Sequence, residues 1–154
     1  MPSVAQILKS KSESHQDRDL RVVTIDADAS VFEAVKMMST FQIGALIVTE
    51  GIEHSIVGII TERDYARKIV LMDRASKTTP VRDIMTANVR YVRLNDTVEA
   101  CMGVMTEHRM RHLPVIDNNR LMGIVSIGDL VKSIISEQQF TIQQLEHYIT
   151  GAHT

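Results

Sequence analysis

The chain has 154 residues, 44% hydrophobic and 23% charged, enough apolar material to bury a core without covalent staples. Its 17 basic and 19 acidic residues leave a net charge of −2 and no basic stripe, which argues against generic nucleic-acid binding. A single cysteine excludes an intrachain disulfide, and no apolar run is long enough to span a bilayer, so a soluble, unexported cytoplasmic protein with no membrane partner is expected.

Val4 to Leu8 reads as a short amphipathic helix, followed by a polar stretch, Lys9 to Asp19, expected as a loop. Val22 to Ile25 is a β-branched run and predicts a strand. Ser30-Val31-Phe32-Glu33 is a capping-box signature, opening a helix whose Val31, Ala34, Val35 and Met38 share one face. Ile43 to Val48 and Ile56 to Ile60 are apolar runs joined by the turn-rich Glu50 to His54, a predicted hairpin, and Tyr65 to Leu71 continues as helix. Asp73 to Pro80 is a polar linker.

The pattern then recurs. Val81 to Met85 matches Val4 to Leu8, Val89 to Val92 predicts a strand, and residues 97 to 108 predict a helix. Strands near Leu113 to Ile116 and Leu121 to Val125 flank the turn Asp117-Asn118-Asn119, and a helix runs from Ile127 to Ile135. Beyond Ser136, Phe140, Ile142, Leu145 and Ile149 keep roughly helical spacing up to Gly151, an added helix expected to dock on this subunit or a partner. The expected organisation is a first repeat over 1–75, a second over 76–136 and an extension over 137–154. A unit of about 60 residues is marginal alone, so two copies should pack face to face and leave equivalent clefts.

The strongest repeated motif is Gly58-Ile59-Ile60-Thr61-Glu62-Arg63-Asp64 against Gly123-Ile124-Val125-Ser126-Ile127-Gly128-Asp129. A hydroxyl at a helix N-terminus lies beside unpaired N–H groups and the positive end of the helix dipole, an anion-favouring place. An aspartate three residues on can accept from two ribose hydroxyls, and Arg63 can clamp phosphate. The same spacing is a variant of the capping box, so each motif either binds a ligand or only caps its helix.

The doubled Gly-apolar-apolar-Thr/Ser-x-x-Asp, with Arg111-His112-Leu113-Pro114-Val115 and Ile84-Met85-Thr86, resembles a pair of CBS domains, as in stand-alone bacterial signalling proteins related to the regulatory insert of inosine monophosphate dehydrogenase. The resemblance implies an α/β (α+β) fold of two pseudo-twofold-related βαββα repeats packed sheet to sheet, a regulatory rather than catalytic role, and a homodimer read by an effector protein. It implies an adenine nucleotide ligand, AMP first, with ADP, ATP or NAD as further candidates. It also implies composite clefts. One would join Thr61, Arg63 and Asp64 to Thr86, Asn88, Arg90, Met110, Arg111 and His112; the other would join Ser126, Gly128 and Asp129 to Arg21, Val23, Ile43, Gly44 and Ala45. The first copy lacks a counterpart of Pro114 and the polar insertion obscures a counterpart of Thr86, which weakens the second assignment.

Other features point elsewhere than chemistry. His108 and His112 could share a helical face as metal ligands, but Leu113-Pro114 predicts that the helix has ended before both. Cys101, among Val98, Met102 and Met105, reads as core. No catalytic group and no metal site is expected. A ligand-free assembly adaptor, its motifs serving only as caps, is the alternative to a nucleotide sensor.

Overall fold

In the computed structural model the described residues are 2–14 and 23–151. The chain is an α/β protein with two sheets. Its elements are α1 (Val4–Ser14), β1 (Thr24–Asp26), α2 (Val31–Phe41), β2 (Ala45–Glu50), β3 (Ser55–Thr61), α3 (Glu62–Tyr65), α4 (Val98–His108), β4 (His112–Asp117), β5 (Arg120–Ser126) and α5 (Ile127–Gly151). A wider π-helical turn, Ala66–Val70, extends α3, and Val81–Asp83 forms one 3₁₀ turn.

The chain divides into two compact units: Asp17–Arg90, and Met1–Gln16 joined to Tyr91–Thr154. In the first, β2 is central, pairing parallel with β1 and antiparallel with β3. The capping box read from Ser30 forms: its hydroxyl accepts the Glu33 N–H at 3.1 Å, and α2 buries Val31, Ala34 and Met38 against Leu46, Val48 and Ile60. In the second unit Thr97 caps α4 through the Ala100 N–H at 3.1 Å, and Val98, Cys101 and Met105 pack on Leu113, Val115 and Val125. Both hairpins carry a bulge at the same place, after Val48 and after Val115, opposite the motif glycines Gly58 and Gly123. The shorter turn uses Asn118 and Asn119 at φ of 49° and 61°, left-handed values that asparagine tolerates.

Four expectations change. Residues 9–14, expected in a loop, complete α1 instead, because nothing from Lys9 to Ser14 breaks a helix; residues 15–22 lie outside the described residues. Val89 to Val92 forms no strand, only a single parallel bridge from Val92 to Val115. In the first unit the Ala27 N–H extends the ladder to Thr49 O at 2.9 Å, whereas the corresponding Leu94 N–H turns to the Asp117 carboxylate at 3.2 Å, ending the ladder early. The helix after β5 does not stop at Ile135; it runs unbroken from Ile127 to Gly151. Helix α4 reaches His108 while His112 opens β4, so the helix includes the first histidine rather than ending before both.

The two matching N-terminal segments are exchanged relative to the sequence repeats. Val4 and Ala5 donate to the carbonyls of Asp96 and Leu94, both at 2.9 Å, and Val98 donates to Pro2 O at 3.2 Å. Val81 and Arg82 donate to the carbonyls of Ala29 and Ala27, at 2.8 and 3.0 Å, and Val31 donates to Thr79 O at 2.9 Å. Each segment is thus the lid of the core whose strands it does not precede: Val4 and Ile7 are buried with Leu113 and Leu130, Val81 and Ile84 with Leu46 and Ile60. Arg82, held more firmly protonated by hydrogen bonds to Asp28 and then Glu50, ties the crossing segment to the unit's surface.

Candidate functional site

Each Thr/Ser-x-x-Asp motif sits where a β-strand runs directly into a helix. Thr61 ends β3, and its hydroxyl accepts the Asp64 N–H at 3.2 Å while Asp64 Oδ2 accepts the Thr61 N–H at 3.0 Å, a closed capping box. Ser126 and Asp129 repeat this at 3.1 and 2.8 Å. Both pairs are part-buried, so the carboxylates are held in fixed orientation at the start of a helix, where its dipole favours negative charge.

Within each unit, backbone of the preceding strand lies beside the motif, so Gly44 and Ala45, expected with Asp129, neighbour Thr61, and Arg111 and His112, expected with Asp64, neighbour Ser126. Thr61 pairs with Ala45, and the Glu62 N–H donates to Gly44 O at 3.1 Å. On the other side of β3, Ile59 and Thr86 exchange backbone bonds at 3.0 and 2.9 Å, laying Thr86 along the strand. Gly58 permits that approach, since a Cβ there would lie 2.6 Å from Met85 Sδ and 2.9 Å from Thr86 O. Thr61, Asp64, Gly44, Ala45 and Thr86 are therefore gathered, with Arg63 exposed on the same first turn and Ile43 partly buried just before β2. In the other unit His112 pairs with Ser126, and the Ile127 N–H donates to Arg111 O at 2.9 Å, gathering Arg111, His112, Ser126 and Asp129, with Gly128 exposed and Met110 packed against the core. Asn88 and Arg90 are exposed on the segment after Thr86, and Val23 directly precedes β1. Arg21 lies outside the described residues.

Two lysines not singled out from the sequence share these sites. Lys68 Nζ lies 3.2 Å from Asp64 Oδ1 and donates to Ile84 O at 2.8 Å. Lys11 Nζ donates to Asp129 Oδ2 at 2.9 Å and to Ile124 O at 2.8 Å. Lys68 was findable from its i,i+4 spacing to Asp64. Lys11 was not, because 118 residues separate it from Asp129. Beside this second pair a cavity of about 180 Å³ lies between α1 and α5, lined by Ser10, Lys11, Lys132 and Ser133 among others. Sites for small organic ligands measure roughly 300–1,000 Å³, so this cavity, which Asp129 also lines, is smaller than such sites.

The remaining candidates settle into the core or the surface. Cys101 is fully buried, and its thiol is pushed up to about 11, first by burial and then by the charge of Asp96. Among the described residues, no group of three or more potential metal-ligating side chains comes together, and no helix is long and apolar enough to cross a membrane.

Comparison with known proteins agrees with this architecture. The CBS domain model matches residues 18–71 and 81–136. A CBS domain-containing mitochondrial protein, CBSX3 of Arabidopsis thaliana, is 38% identical over 154 residues, covering 98% of this chain and 73% of its own. The structure of a protein with CBS domains from Burkholderia ambifaria superposes with a TM-score of 0.80 at 53% identity, covering 92% of this chain and 99% of that one. The fold is also that of PAE2072 from Pyrobaculum aerophilum, a CBS domain protein complexed with AMP, with a TM-score of 0.70 at 22% identity over 83% of this chain and 89% of that one. With two matched domains, duplicated capping-box motifs and these relatives, the chain belongs to the CBS domain family, as a regulatory CBS pair.

Proposed function

We propose that this chain is a non-catalytic sensor of adenine nucleotides, AMP first, with ADP, ATP or NAD as further ligands, acting in the cytoplasm as a homodimer whose state an effector protein reads. The observation that carries the reading is the held carboxylate of Asp64 at the N-terminus of α3, beside Gly44, Ala45 and Thr86. A ribose diol would donate to Asp64, and phosphate would lie near Thr61 and the guanidinium of Arg63. Asp129 offers a second site of different character, since Lys11 already engages its carboxylate and would have to shift or join in binding. The AMP complex of the Pyrobaculum aerophilum protein, which shares the fold, supports the choice of ligand.

The test is thermal stability with AMP, ADP, ATP, NAD and S-adenosylmethionine in turn. A ligand at 100 times its dissociation constant stabilises by about 2.7 kcal/mol. Absence of a shift with every one of them at millimolar concentration would refute the sensor. One observation favours a second reading, an assembly adaptor without ligand: both motifs do close capping boxes. On that reading Asp64→Ala lowers stability and leaves nucleotide response absent before and after.

A further inference from the structure

The two units give their motif aspartates a lysine from different places. In the first unit Lys68 reaches Asp64 from the same helix, and the segment after the lid leaves α-helical geometry, with the Thr86 N–H donating to Ile59 O at 2.9 Å. Aligning Gly58 with Gly123 puts Ser133 at the place of Lys68 and Ile124 at that of Ile59; aligning Val81 with Val4 puts Lys9 at the place of Thr86. Ser133 carries no charge, and residues 9–14 stay in α1 instead of lying along the strand. The Ile124 carbonyl takes the Lys11 ammonium at 2.8 Å, and the same ammonium donates to Asp129 Oδ2 at 2.9 Å. Lys11 thus stands in for a backbone bond and for a helix lysine at once.

This arrangement closes the site. Asp129 Oδ2 also accepts the Ser126 N–H at 2.8 Å, so both its lone pairs are engaged and a ribose diol, which needs two carboxylate oxygens, finds one. At Asp64 the competing donors are the Thr61 hydroxyl, which rotates, and the half-exposed Lys68, which swings aside without moving backbone. Lys11 by contrast rides on a helix that fills the approach: the space left between α1 and α5 is about 180 Å³, below the roughly 300 Å³ at which sites for small organic ligands begin. The alternative arrangement still has room. At Gly123 the nearest atom to a Cβ is Leu8 Cδ2 at 3.0 Å, the end of a flexible side chain, where Gly58 has the Thr86 carbonyl. The last turn of α1 is also easily given up, since Lys9, Ser10 and Ser12 are exposed, serine is a middling helix former, and a helix of 11 residues is marginal without packing.

We propose that Lys11 and the last turn of α1 form an internal lock on the Asp129 site, which admits an adenine nucleotide only when residues 9–14 leave the helix and the ammonium leaves the carboxylate. The inference rests on the nucleotide reading of the two motifs and adds their regulation: Asp64 fills first, and Asp129 fills on release of α1. Isothermal titration of the full chain with AMP tests it, with far-ultraviolet circular dichroism to confirm folding. Wild type should bind one AMP per chain, and a second at least tenfold more weakly. Lys11→Met should tighten the second at least tenfold, and adding Asp129→Asn should abolish that gain. Without ligand, Lys11→Met should speed amide hydrogen exchange of residues 9–14 at least threefold and leave Val4 to Leu8 unchanged. Equal filling of both sites in wild type, a second site indifferent to Lys11→Met, or unchanged exchange in residues 9–14 overturns the lock alone. A chain that binds no AMP, with or without Lys11, overturns the sensor and the lock with it.

Discussion

Asp64 serves three groups with one carboxylate: the Thr61 N–H, the Thr61 hydroxyl at 3.2 Å and the Lys68 ammonium. Asp64→Ala should therefore cost about 1–2 kcal/mol in chemical denaturation without ligand, the usual range for a lost cap. Asp64→Asn keeps an acceptor oxygen for the cap and should cost less, yet abolish the AMP-induced thermal shift; an Asn variant that still responds to AMP would remove Asp64 from the binding site. Gly58 gives a sharper expectation. A Cβ there would meet the Met85 sulfur and the Thr86 carbonyl oxygen, and the latter, being backbone, cannot give way. Gly58→Ala should destabilise by about 1–3 kcal/mol through overpacking, measured by urea denaturation. Cys101 should resist alkylation at pH 8 until the chain unfolds. Because its native pKa is raised, stability should be level in pH below the unfolded thiol value of about 8.5 and fall as pH rises from there towards about 11. The residue hardest to read in advance was Lys11, since its ammonium finds Asp129 only through the fold and leaves no mark on local pattern.

At the scale of elements, hydrophobic period and capping chemistry made most of the architecture readable. Helix α2 begins at the expected hydroxyl cap, α4 starts at the expected place with Thr97 as its cap, and both hairpins fall where apolar runs flank turn residues. Thr97→Ala should cost about 1 kcal/mol in the same denaturation assay, as Ser30→Ala should, since each leaves one N–H of the first turn without its acceptor. What could not be read was where a pattern stops. Ser136 to Gln139 contains no glycine or proline, so a boundary inferred from the end of the repeat had no physical counterpart and α5 continued through it. Conversely, the apolar run at Val89 to Val92 looked sufficient for a strand, and a competing side-chain acceptor, Asp117, decided otherwise.

For the whole molecule, periodicity identified two copies but could not say which core each N-terminal segment would close. Val4, Ile7 and Leu8 present the same pattern as Val81, Ile84 and Met85, so either could cover either set of strands. The exchange makes a testable assignment: Ile7→Ala should cost about 2–5 kcal/mol and speed amide hydrogen exchange in α4, β4 and β5, leaving β1 to β3 protected. Faster exchange confined to β1 to β3 would contradict it. The exchange also orders events during synthesis. The unit spanning Asp17–Arg90 is contiguous and can close as soon as its last residues leave the ribosome, whereas α1, made first, must wait for α4 and β4 before its apolar face is covered. One unit is in effect inserted into the other along the chain, so a gene fragment for residues 17–90 carries a core together with its lid, and a fragment beginning at residue 76 carries a core without one.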